Sequence, residues 1–221
     1  PRVAGYGYSD SQRRRLASPN TMWPAGPISQ AFAAVAVMQL HEDGGLDVNR
    51  RASVYIPELP DTWNDITVLQ LLRHASGLPD YRRAAEFSPD TPWTFDALLQ
   101  LAARNPLHFV PGTEVEQSAT NFLLLTEIVE RVSGLSYHDF VTKRQIEFLG
   151  LGQFHHEDIS RTADIHQLFK KDRLYINPTE PAVSYDSSGT PITAAETTAL
   201  RGFSDIWASA QDISFWDIGL A

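Results

Sequence analysis

The sequence predicts a mixed helix-and-strand protein in which helices dominate: a strand, one core helix, then a mainly helical lobe. Three observations carry this. Residues 2–10 place Tyr6 and Tyr8 on alternate positions with glycines between them, the period-two pattern of an edge strand. Residues 27–43 are apolar at Ile28, Phe32, Val35 and Leu40, with alanines filling the gaps, so this helix is expected to be buried nearly all round. Beyond Gly44-Gly45, apolar residues recur at helical spacing between caps and glycine stops.

Each element has a local cause. "ASPNTMW" supplies a turn through Ser18, Pro19 and Asn20. Pro27 suits the first turn of the core helix, where an amide would lack a partner anyway. "ITVLQLLRHASGL" (66–78) has helical spacing at Ile66, Leu69 and Leu72 and a stop at Gly77. "TFDALLQLAARN" (94–105) opens on a capping threonine with Asp96 in the first turn. "TNFLLLTEIVERVSG" (120–134) is strongly amphipathic and closes on Gly134, and "SYHDFVTKRQIEFLG" (136–150) starts on a serine cap. Residues 155–200 are polar and poorly periodic, an irregular surface excursion, and a last helix from Ser209 to Leu220 is opened by "SAQD".

Composition narrows the function. The 221 residues are 43% hydrophobic, enough for a real core. A net charge of -9, with no basic run longer than Arg13-Arg14-Arg15, excludes an electrostatic nucleic-acid footprint. The absence of cysteine excludes disulfides and thiolate chemistry. The longest apolar run, Ala31 to Leu40, is about half a membrane span. No compartment is assigned, and extracytoplasmic and cytoplasmic locations both stay open.

The order "GYGYSD", "GPISQAFAAVAVMQLHEDGGLDV", "LLRHASGLPDY", "PGTEVEQSATNFLLLTEIVE" and "LGLGQFHHED" closely resembles the serine β-lactamase and penicillin-binding-protein family. The similarity is greatest to the branch of class C β-lactamases, D-alanyl-D-alanine carboxypeptidases and related esterases. It runs along essentially the whole chain. It implies an α/β (α+β) β-lactamase/transpeptidase-like fold: an antiparallel sheet flanked by helices, with an all-helical lobe inserted. The expected divisions within one partial domain are about 1–43 for sheet edge and core helix, about 44–205 for the helical lobe and loops, and about 206–221 for a helix returning to the sheet. The chain reads as truncated at both ends. The later strands are then expected from a longer precursor, a complementary chain or a second copy.

The resemblance also implies where chemistry belongs. The family opens its core helix with Ser-x-x-Lys, in which the serine attacks a carbonyl and the lysine assists its deprotonation. Gly26-Pro27-Ile28-Ser29-Gln30 aligns without a gap, so Pro27 stands at the nucleophile and Gln30 at the lysine. The family's Tyr-x-Asn follows Pro-Gly-Thr by a few residues; here Gln117-Ser118-Ala119 follows Pro111-Gly112-Thr113, so Gln117 and Ala119 replace tyrosine and asparagine. A third Lys/His-Thr/Ser-Gly motif is expected beyond Ala221. All four covered catalytic positions differ, which implies a family member disabled for acyl transfer. The alternative is an active esterase, β-lactamase or peptidase with a rearranged site using Ser29 or Ser118. Ser29 faces elsewhere than position 27, at about 100° per residue, and is expected to bond the preceding turn; Ser118 has a bland reading as a satisfied loop serine. A third reading, acid–base work by Glu116 in a non-hydrolytic enzyme, has no positive signal.

The remaining candidates have structural readings of their own. His74 and Ser76 resemble a hydrolase pair but read as a packed turn. His155, His156, Glu157, Asp158 and His166 carry metal-capable groups without the i, i+4 spacing that aims two ligands at one ion, so no metal and no cofactor are expected. Trp93, Trp207 and Trp216 read as core, whereas the family resemblance implies a place for Tyr81 on a cleft wall as a substrate-binding residue. The partners implied are a small amide or ester ligand and the complementary chain or homo-oligomer described above.

Overall fold

The computed structural model describes residues 4–89, 91–151, 174–176, 181–192 and 198–220. The predicted first strand is short: β1 (Tyr8–Asp10) pairs antiparallel with β2 (Arg15–Leu16). A second sheet has the order β3-β5-β4, with β3 (Trp23–Pro24) antiparallel and β4 (Leu174–Tyr175) parallel to the central β5 (Ile206–Ala208). The mixed pairing differs from the all-antiparallel expectation at β4. This small sheet meets the start of the core helix, where the Ala25 amide donates to Ile206 O at 2.8 Å.

A 3-10 turn at Gly26–Ile28 leads into α1 (Ser29–Glu42). Phe32, Ala33, Ala36, Val37 and Leu40 of α1 are buried, packed across α4 (Ala119–Ser133). The helix is not buried all round. Ile28 and Ala31 are exposed, Val35 is half-buried and Met38 is exposed, a stripe at helical spacing that alanine-rich composition alone did not reveal.

The helical lobe owes its boundaries to local caps. Thr67 and Gln70 form a capping box on α2 (Val68–Leu72). That helix is shorter than expected: His74, at φ +55°, turns the chain before Gly77, and Val68 and Leu71 form the buried face rather than Leu69 and Leu72. Thr94 caps α3 (Phe95–Ala103), Ser118 caps α4, and Gly134 at φ +70° ends α4 in the left-handed conformation that glycine tolerates. Ser136 caps α5 (Tyr137–Val141), which runs into a π-helical turn at Thr142–Ile146. A capping box of Ser209 and Asp212 opens α6 (Ala210–Gly219).

The π-turn directs Gln145 inward. Its Nε2 donates to Phe32 O at 3.0 Å, and its Oε1 accepts from Trp216 Nε1 at 3.0 Å. Trp216 stacks on Phe32 with ring centroids 4.0 Å apart. One buried amide thus joins α1, the end of α5 and α6. His155, His156, Glu157, Asp158 and His166, and most of the predicted irregular excursion, lie outside the described residues.

Candidate active-site region and family

Three segments converge beside the start of α1: the Gly26–Ile28 turn, the loop from His74 to Tyr81, and the N-terminus of α4. Gly26 takes φ +55° with open space where a Cβ would stand, so backbone conformation rather than crowding calls for glycine. Pro27 is exposed on this turn and carries no group that could attack a carbonyl.

Gln30 reaches across to the loop. Its Oε1 lies 2.9 Å from His74 Nε2. On the far side of the ring, Nδ1 takes the Asn121 side-chain amide at 3.0 Å and the Ser118 backbone amide at 3.4 Å. Two donors on Nδ1 place the ring proton on Nε2, so His74 donates to Gln30. Burial lowers the pKa of His74, against an opposing pull from Asp80, and favours this neutral form. The bond chain continues: Asn121 Oδ1 accepts from Ser76 Oγ at 2.5 Å, and Ser76 Oγ accepts from Leu78 N at 3.1 Å.

Asp80 secures the same corner from below. Its buried carboxylate receives the Arg82 guanidinium at 2.6 Å and the Arg82 amide at 3.0 Å. Burial alone would raise its pKa; bonds from Arg82 and from the Ala119 backbone outweigh burial and hold it below the ordinary value. Arg82 also lies 3.9 Å over the Phe203 ring. The only sequence signal for Asp80 was its place in "GLPDY", because its partners are assembled by the turn.

The predicted site residues divide accordingly. Gln30 and the Gln117-Ser118-Ala119 loop are brought together through His74. Gln117 is exposed and Ala119 is fully buried. Ser118 is 2% exposed, and its Oγ accepts from Thr120 N at 3.2 Å as the α4 cap. Ser29 is 0% exposed, and its Oγ accepts from Ile206 N at 3.1 Å, not from the preceding turn as expected. Tyr81 requires a correction too. It is a core residue, 1% exposed, whose hydroxyl donates to Ala199 O at 2.5 Å, and burial pushes its pKa well above the ordinary phenol value.

Glu116 bonds His108 Nδ1 at 2.6 Å and Arg83 Nη1 at 2.5 Å. These contacts, His108 first, lower its pKa and weaken it as a proton acceptor. Among the described residues, no group of three His, Asp or Glu side chains is placed to hold a metal ion.

Residues 2–213 match the Beta-lactamase family model. The chain belongs to the beta-lactamase family. Protein flp of Staphylococcus aureus strain MW2 is 30% identical over 142 residues, covering 62% of this chain and 28% of that protein. The chain therefore spans under a third of that relative's length. Among solved structures, the penicillin-binding protein from Bacillus halodurans superposes with a TM-score of 0.75 at 22% identity, covering 100% of this chain and 66% of that one. The octameric penicillin-binding protein homologue from Pyrococcus abyssi gives 0.70 at 22% identity, covering 96% and 48%. At these identities the structural likeness establishes the fold, the β-lactamase/transpeptidase-like arrangement of helices around a small sheet.

The buried Ser29 hydroxyl makes a direct prediction. Ser29→Ala leaves the Ile206 amide without its acceptor and lowers stability by about 1–3 kcal/mol. Urea denaturation measures this, and any ester hydrolysis by the preparation stays unchanged. A fall in hydrolysis with stability intact would restore Ser29 as a nucleophile.

Proposed function

We propose that this beta-lactamase-family chain is disabled for acyl transfer and that its cleft binds a small amide or ester without turning it over. The observation that carries this reading is the turn from Pro27 to Gln30. In the family register, a proline replaces the nucleophile and an amide bonded to His74 replaces the lysine. The nearby hydroxyls of Ser29 and Ser118 are buried and committed to backbone amides. Without an activated nucleophile no acyl-enzyme forms, and the positioning groups that remain cannot replace it.

The test is intact-mass spectrometry after incubation with a penicillin and with an activated ester. The expected mass is that of the unmodified chain. A stable increment equal to the acyl group would overturn the proposal.

The stripe of Ile28, Ala31, Val35 and Met38 along α1 supports a second part of this reading, that a complementary chain or a second copy covers this face. Sedimentation velocity is expected to show self-association or a co-purified partner. A monodisperse monomer that binds no apolar-surface dye would dispose of it.

A further inference from the structure

The junction of α4, α5 and the turn before β5 encloses a polar cluster that the candidate site does not use. Arg201 Nη1 contacts both Glu130 carboxylate oxygens at 3.0 Å, and its Nη2 reaches Glu127 at 3.2 Å. The Tyr137 backbone amide shares Glu130 Oε1 at 2.8 Å. Next along α5, His138 Nε2 meets Asp205 Oδ2 at 2.7 Å. Tyr137, Arg201 and Asp205 are therefore knitted together through Glu130 and His138.

Each of the three leaves one atom over. The Tyr137 hydroxyl, Arg201 Nε and Asp205 Oδ1 are buried and have no hydrogen-bond partner among the described residues. Tyr137 is 0% and Asp205 1% exposed, so bulk solvent does not satisfy them. Both Asp205 and Arg201 act electrostatically on the Tyr137 phenol, consistent with their closeness. Orphaned buried polar atoms are costly, so three at one junction call for partners.

We infer that this junction binds one ordered water, which accepts from the Tyr137 hydroxyl and Arg201 Nε and donates to Asp205 Oδ1. The donor and acceptor count selects the ligand. Two donors and one carboxylate oxygen require a molecule that accepts twice and donates once. A halide cannot donate, and an ammonium or metal cation cannot accept. Water does both, and about three bonds is its usual number at internal sites. The bridge ties α5 to the segment leading into β5, whose Ile206 amide holds Ser29 at the start of α1. An internal water thus contributes to positioning the helix that carries the family's first motif.

A high-resolution crystal structure of the chain, combined with oxygen-17 relaxation dispersion to count long-lived internal waters, tests the inference. The expected result is a density peak about 2.7–3.2 Å from all three atoms. Tyr137→Phe should keep the ring packed and show one long-lived water fewer. No peak, direct bonding among the three atoms, or their bonding to side chains of 193–197 overturns the inference. Should Tyr137→Phe fail to fold, density in the unaltered protein decides alone.

Discussion

Asp80→Ala is expected to lower folding stability by about 2–4 kcal/mol, because removing the carboxylate strands groups that were brought out of water to meet it. Arg82 would keep its stacking on Phe203 and its partial exposure, which places the loss below that of a fully buried ion pair. The Ala119 and Arg82 amides would lose their acceptor, loosening the α4 N-terminus and the loop that carries Gln117. Urea midpoints at neutral pH measure the loss, with Asp80→Asn as a control that keeps shape but removes charge. The pH dependence follows from the depressed native pKa. The stabilisation is present above the ordinary carboxylate range and disappears as pH falls through the native value. The unaltered protein should therefore lose stability steeply on acidification, and Asp80→Asn less steeply. Equal pH slopes in the two proteins would show that Asp80 is not held ionised by this corner.

The second large effect concerns restored chemistry. Pro27→Ser alone is expected to acylate only slowly, since in the proposed register a serine there has only the Gln30 amide at the proton-accepting position. Pro27→Ser with Gln30→Lys should acylate about 10²–10⁴-fold faster than the single variant, the range a positioned proton-transfer group contributes. Mass spectrometry over time with an activated ester compares the two. Equal rates would mean that position 30 does not serve as the base position and that the assumed register is wrong. The lysine has a structural cost: an ammonium facing the His74 Nε2 proton replaces an acceptor with a donor, so about 1 kcal/mol of stability should be lost. In the proposed register Gln30 thus stands where the family has its lysine, and it is also a strut between α1 and the His74 loop.

Much of the fold was legible because its signals are local. Thr67, Thr94, Ser136 and Ser209 accept from amides three residues ahead, and Gly134 supplies a left-handed stop. A cap needs only its own turn, so its spelling survives in the one-dimensional string. Family membership was legible for a similar reason, since motif spacing is a property of the chain. The sequence did not disclose the neighbours of Tyr81. An aromatic after a turn suits a cleft wall or a core equally, and its hydroxyl partner lies 118 residues away at Ala199.

By itself, then, the sequence determined the caps, the helical lobe and the family. Tertiary structure alone decided which face of α1 stays exposed, how Gln145 joins α1 to α6, and what each polar side chain near the motif turn does. Gln30 finds His74 44 residues on, and Ser29 finds the Ile206 amide 177 residues on. Whether a hydroxyl is a nucleophile or a strut depends on the donors and acceptors that folding brings within about 3 Å of it. Those partners come from β5 and the loop that begins at His74, segments whose approach no spacing along the chain encodes.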